Sequence, residues 1–398
     1  MPHPCLASSH TTGIASNRTT DKDMALFIGM MSGTSLDGVD GILVSFPDDY
    51  RGGGLDILAS AHIPFDLSLR QQLMALQLPG ENEIEREALA ANRLATLYAE
   101  NVRKLLEKSG LSRQDIRTIG VHGQTIRHRP DLGFTRQTNN PALLAELTGI
   151  DVVADFRSRD IAAGGQGAPL VPAFHQAVFG DDTVCRTVVN IGGIANISIL
   201  DPAGSVSGFD TGPGNMLLDA WIQSCQNQPY DIDGLWGKSG RYSETLLDTM
   251  LAEPFFRQLP PKSTGRDLFN PAWLRDKLFQ SSMADKLSPE DVQATLVMLT
   301  ATSIARAIHN YAPQTRQVYV CGGGAKNRFL MEVLENRLQD DGHSISLATS
   351  ETLGVDPMHV ESLAFAWLAY RFTHRLTGNL PSVTGAASGR ILGALYPA

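Results

Sequence analysis

The chain has 398 residues, 42% of them hydrophobic and 19% charged, which suits two domains sharing a cleft rather than one core. A formal net charge of −9 argues against nucleic acid or an anionic membrane as the main partner, yet leaves an anionic nucleotide open, since backbone N–H groups and a metal ion can hold phosphates. The four scattered cysteines (Cys5, Cys185, Cys225, Cys321) and the lack of any apolar run near ~20 residues lead to the expectation of reduced thiols in a cytoplasmic protein.

Residues 1–23, rich in Ser, Thr and His without the basic start and apolar stretch of a secretory signal, read as a disordered extension. Folded sequence opens with the strand-like Leu26-Phe27-Ile28, a small-residue turn, and a second strand at Ile42-Leu43-Val44. The turn region, Ser32-Gly33-Thr34-Ser35-Leu36-Asp37-Gly38-Val39-Asp40, combines glycines that let amides approach a phosphate, two hydroxyls, and Asp37 or Asp40 for a magnesium ion. A plain hairpin turn would use the same residue types. Residues 84–107 carry Ile84, Leu94, Tyr98, Val102 and Leu105 on one helical stripe.

A strand over Ile119–Val121 runs into His122-Gly123-Gln124-Thr125, three polar groups at a strand end. The segment from Phe156 to Leu170 then sets Asp160 between Arg157, Arg159 and the glycine-rich Gly164-Gly165-Gln166-Gly167. Such a loop can approach a sugar closely, with Asp160 as base and Gln166 as hydroxyl ligand; a salt-bridged loop carboxylate is the plainer alternative.

The opening pattern recurs about 160 residues on. Thr187-Val188-Val189 leads into Asn190-Ile191-Gly192-Gly193-Ile194-Ala195-Asn196, and Ile197-Ser198-Ile199-Leu200 follows, suggesting a duplicated architecture. Gly208-Phe209-Asp210-Thr211-Gly212-Pro213-Gly214-Asn215 is a further turn with a single acid. Gly237-Lys238-Ser239 mimics the end of a P-loop but lacks its upstream glycine, Ile232 standing there. Helical stripes recur over 291–311 and 359–376, the second starting near Glu361. Between them the strand Val318–Cys321 runs into Gly322-Gly323-Gly324-Ala325-Lys326-Asn327, a good nucleotide-binding turn at a strand's carboxyl end. Strands alternate with helices throughout, so the class is α/β.

The run from Phe27 to Asp40 resembles the opening signature of 1,6-anhydro-N-acetylmuramic acid kinases. The resemblance continues through His122–Thr125, Arg157–Leu170, Asn190–Ser198, Phe209–Asn215, the triple glycine, Glu361–Ala369, Val383-Thr384-Gly385 and Ile391–Ala394. It implies the two-lobed, actin-like ATPase fold of hexokinase type, with duplicated mixed-sheet domains around a nucleotide cleft. The expected lobes are 24–183, with 377–398 able to rejoin it, and 184–376.

It implies ATP and Mg2+ as cofactors, a small anhydro amino sugar as substrate, and a homodimer. By resemblance, Gly33–Asp40 is the first phosphate loop, Asn190–Asn196 (Gly192, Gly193) the second, and the Gly322–Asn327 segment the adenosine loop. Asp160 would be the base, and His122, Gln124, Thr125, Arg157, Gly165 and Gln166 the sugar contacts. Asn190 stands where the wider superfamily carries Asp, so the metal ligands stay open among Asp37, Asp40, Asp210 and Glu361. A plain hexose or N-acetylhexosamine kinase, or a non-catalytic actin-like module, would share the fold.

Overall fold

The computed structural model describes residues 24–33, 36–50, 52–342 and 344–398. The expected N-terminal extension, and Thr34 and Ser35 of the first turn, lie outside the described residues.

The first two strands are buried along most of their length, and the opening strands fold back on one another as an antiparallel meander: β1 (Met24–Met31), β2 (Gly38–Pro47) and β3 (Asp56–Pro64). The long helix Glu83–Ser109 crosses over to β4 (Ile116–Val121), which lies parallel to β1. A small hairpin follows, β5 (Gln124–Arg129) with β6 (Phe134–Thr138), before β7 (Val152–Ala154) pairs in parallel with β4.

The second half repeats this plan. The strands β8 (Arg186–Ile191), β9 (Ile194–Leu200) and β10 (Val206–Pro213) form the meander, and β11 (Gln317–Cys321) and β12 (Ser346–Thr349) add in parallel beside β8. The sheet orders β3-β2-β1-β4-β7 and β10-β9-β8-β11-β12 are therefore the same, and β13 (Ala394–Tyr396) closes the edge of the first by pairing antiparallel with β7. The pattern duplication in the sequence is a duplication of topology. This is the two-lobed, actin-like ATPase plan.

Two helices lie between the sheets. Val360–Thr373 is buried on nearly every side and packs on β1, β2 and β4. It can do so because Gly29 and Gly120 are direct partners on β1 and β4; a Cβ on Gly29 would run into the Ser362 carbonyl oxygen, and one on Gly120 into that of Phe365. Val171–Phe179 packs between that helix and β8–β10. The lobe boundaries expected from sequence thus differ from the packing at both helices, because a helix apolar all round carries no stripe naming its sheet. Phe27, Phe46, Phe174, Val188, Trp367 and Tyr370 belong to one core joining the sheets, and a further core fills each half.

Candidate active site

Strand register brings the second half's polar residues to one end of its sheet. Asn190 on β8, Asn196 on β9 and Asp210 on β10 stand in one row, so their side chains share a face. Asn190 Nδ2 donates to Glu361 Oε1 at 3.4 Å, which turns that face toward the helix between the sheets. Beyond the row, Gly192 and Gly193 make the β8–β9 turn, where an added Cβ would meet nothing nearer than 3.6 Å.

The turn is buttressed by the start of the helix Asn215–Gln226. Gly214 and Met216 N–H groups donate to the Gly193 oxygen, Asn215 N–H to the Gly192 oxygen, and Asn215 Nδ2 to the Ile191 oxygen. Gly322, at φ 79°, leaves β11 so close to Asn190 and Ile191 that no side chain fits. Two glycine turns therefore converge, one of them braced by the first N–H groups of a helix, and open glycine turns of this kind suit a phosphate. Asn327 does something other than expected: its Oδ1 accepts from Leu330 N–H at 2.9 Å and caps the helix Arg328–Leu338.

In the first half, Leu36 N–H donates to the Gly33 oxygen at 3.2 Å, with Leu36 in the left-handed region at φ 56°. Gln124 Nε2 donates to the same Gly33 oxygen at 3.1 Å and is fully buried, so it supports the turn rather than facing a sugar. Asp40 on β2 pairs with His62 at 2.8 Å, and Gly38 lies flush against the Ile63 oxygen and the His62 ring. Val39 is in the core. Burial raises Asp40 above the ordinary carboxylate range, against the pull of His62. Burial likewise raises Glu361; Arg157 opposes this, while Asp40 and Asp37 add to it. Among the described residues no group of three or more His, Cys, Asp or Glu side chains is gathered to hold a metal by itself.

Arg157 is buried beside this group. Its Nε and Nη2 donate to His122 Nε2 at 3.1 and 3.0 Å, and its Nη1 to the Gly167 oxygen at 2.8 Å. Burial lowers Arg157 to about 10, while Glu361 and Asp160 hold it up. Because a guanidinium only donates, His122 Nε2 must be the unprotonated nitrogen. Burial, then Arg157, puts the His122 pKa well below its usual range, so the ring is neutral.

Asp160 contradicts its expected role. It has no exposed surface, and both carboxylate oxygens are taken: Oδ2 accepts from Gly167 N–H at 2.7 Å, Oδ1 from Asn379 Nδ2 at 2.6 Å and Thr384 Oγ1 at 2.7 Å. With Gly165 packed against it and Gln166 N–H bonded to the Thr384 oxygen, it ties its loop to the C-terminal segment. A carboxylate so placed cannot reach a water or a substrate proton.

Asp210 has what Asp160 lacks. It is half-buried within β10, its Oδ2 accepting from Thr264 N–H at 3.0 Å. Burial raises it to about 6, opposed by the Thr264 bond and by Lys262. What shifts it is burial, the Thr264 bond and Lys262, a setting different from that of Glu361, where Arg157, Asp40 and Asp37 act. Thr264 also lines a cavity of about 400 Å³, walled on one side by Ser263, Gly265 and Asp267 and on the other by Thr125, Arg127 and His128 of the β5–β6 hairpin. A proton acceptor with its affinity near neutrality thus lies next to a space between the halves.

The family model described as anhydro-N-acetylmuramic acid kinase matches residues 25–398. The chain belongs to that family. The protein named anhydro-N-acetylmuramic acid kinase in Burkholderia orbicola (strain MC0-3) is 56% identical over 373 residues, covering 94% of this chain and 96% of that one. The one so named in Paraburkholderia xenovorans (strain LB400) is also 56% identical, over 94% of this chain and 98% of its own. A solved structure, the activator of the 2-hydroxyisocaproyl-CoA dehydratase from Clostridium difficile with bound ADPNP, aligns over 88% of this chain and 96% of that one at 14% identity and a TM-score of 0.47.

In this kinase-family chain, several site residues escaped sequence reasoning. Lys262, Thr264 and Asn379 were not singled out at all, and Asn215 and Thr384, which lie in segments that were, had been given no role; all five bond to the turns or to Asp210 and Asp160. Lys262-Ser263-Thr264-Gly265 follows no strand and forms no familiar spacing, so the only available signal was a run of small polar residues. Thr125 does reach the cavity, its Oγ1 accepting from Gln137 Nε2 at 3.1 Å, whereas Gln166 is exposed.

Proposed function

We propose that this chain uses ATP and a water molecule to convert 1,6-anhydro-N-acetylmuramic acid to N-acetylmuramic acid 6-phosphate, a step of cell-wall recycling, with Asp210 as the base. The observation that carries the reading is the half-buried Asp210, raised to about 6, bonded to Thr264 of the cavity wall and two residues from the Gly212 bend. Asp210 takes a proton from water as the water oxygen attacks the anomeric carbon. The bond from that carbon to the bridging 6-oxygen breaks, and the 6-oxygen takes the γ-phosphoryl group as ADP leaves. Glycoside hydrolysis ordinarily needs a second carboxyl group to protonate the leaving oxygen. Here phosphoryl capture of that oxygen replaces the acid, so one base suffices.

The Gly192-Gly193 turn, braced by the helix Asn215–Gln226, would hold the phosphates, and Gly322–Gly324 the nucleoside side. Magnesium belongs to the same proposal: Asp37, Asp40 and Glu361 would hold it, directly or through water, and it would neutralise phosphate charge. The fit is that Asp40 and Asp37 raise the proton affinity of Glu361, and Asp37 that of Asp40, a repulsion that a cation relieves. A homodimer in the cytoplasm completes the reading; light scattering on the purified protein tests the dimer.

Turnover in heavy-oxygen water, quenched early, tests the chemistry. Label is expected on the anomeric hydroxyl, none in the ester linkage, and the first product should be the α anomer because the bridge occupies the β face. Label in the ester oxygen defeats the mechanism. Brisk phosphorylation of an open hexosamine with no use of the anhydro sugar would make the chain a plain amino-sugar kinase.

A further inference from the structure

The base does not stand alone on its strand. Asp210 N–H donates to the Lys262 oxygen at 3.1 Å, while Thr264 N–H donates to Asp210 Oδ2 at 3.0 Å. The segment thus grips Asp210 by backbone and side chain together. Lys262 is itself fixed: its Nζ donates to the Phe255 oxygen at 3.1 Å and sits 4.5 Å from the centre of the Phe255 ring. An ammonium anchored by a carbonyl and a ring face keeps its position without an ion pair of its own. Among the described residues, Lys262 is the charged group whose effect on Asp210 stands out. Its cross-strand partner on β9 is the neutral Asn196, and the bend after it meets Phe256 and, from the helix Pro289–Tyr311, Ser303. On the helix Val171–Phe179, also packed on β10, His175 is held neutral by burial and bonded to Ser198. From Pro381–Thr384, Ser382 is bonded to the Val206 oxygen.

We propose that Lys262 is a positioning residue for the reaction: the Lys262–Thr264 segment clamps Asp210, and the Lys262 ammonium keeps its carboxylate charged and ready to take the proton of water. This rests on Asp210 being the base. Burial alone favours the neutral acid, which cannot accept a proton, and a fixed positive charge opposes that loss. The two shifts agree, since Asp210 in turn holds up the Lys262 ammonium that burial lowers.

The test is the pH dependence of kcat/KM for ADP release with the anhydro sugar, in the full chain and in Lys262→Met, Lys262→Arg and Asp210→Asn. The unaltered chain should lose activity as pH falls through about 6. Lys262→Met should move that limb up by roughly one pH unit with a plateau within a few-fold above it, and Lys262→Arg should restore the limb. If Lys262→Met melts early, Lys262→Gln keeps the bond to the Phe255 oxygen without the charge and reads the same limb. An inactive Asp210→Asn with an unmoved limb in both neutral variants overturns the role of Lys262 alone. An active Asp210→Asn overturns the base, and this inference with it.

Discussion

Asp160 and Asp210, each close to glycine-rich sequence, are parted by their donors. The Asn379 and Thr384 groups that saturate Asp160 lie 219 and 224 residues downstream, so no local reading could supply them. Asp160→Asn is therefore expected to be a stability variant. Whichever way the new amide points, its NH2 group faces a donor, Gly167 N–H or Asn379 Nδ2, at a position with no exposed surface. Such a clash costs about 1–3 kcal/mol, more where a charge is removed from its partners. Thermal melting checks this: a marked drop is expected for Asp160→Asn, with any activity loss tracking misfolded protein. An unchanged melting point with abolished turnover would return Asp160 to the chemistry.

Among the elements, the helix Val360–Thr373 decides where Glu361 sits. Its seat is the paired Gly29 and Gly120, where strand backbone and helix backbone touch. Gly29→Ala drives a methyl group into the Ser362 carbonyl, and overpacking against backbone costs about 1–3 kcal/mol. The helix must lift, drawing Glu361 from Asn190, so both melting point and turnover should fall together. Retention of both would mean that the helix seat is not what places Glu361. The hairpin strands were legible because short apolar runs and small-residue turns are local signals. The partner sheet of this helix was not, since Ser362 through Tyr370 are buried on both sides.

At the scale of the whole molecule, the shared core of Phe27, Phe174, Val188 and Trp367 joins the halves at one place, while the cavity between Thr125–His128 and Ser263–Asp267 opens at another. Halves joined in one region can rotate about it, so nucleotide and sugar together should compact the molecule more than either alone. Small-angle scattering reads this as a fall in the radius of gyration. A radius unchanged by every ligand combination would rule out a closing cleft.

The sequence by itself determined the α/β class, the doubled strand–turn–strand plan, the glycine turns and the family, because each is written in residues adjacent along the chain. Which carboxylate is free to act was decided by tertiary structure alone. Proton affinity and reach depend on burial and on donors that folding brings in from distant segments: Thr264 to Asp210, Thr384 to Asp160, Arg157 and Asn190 to Glu361.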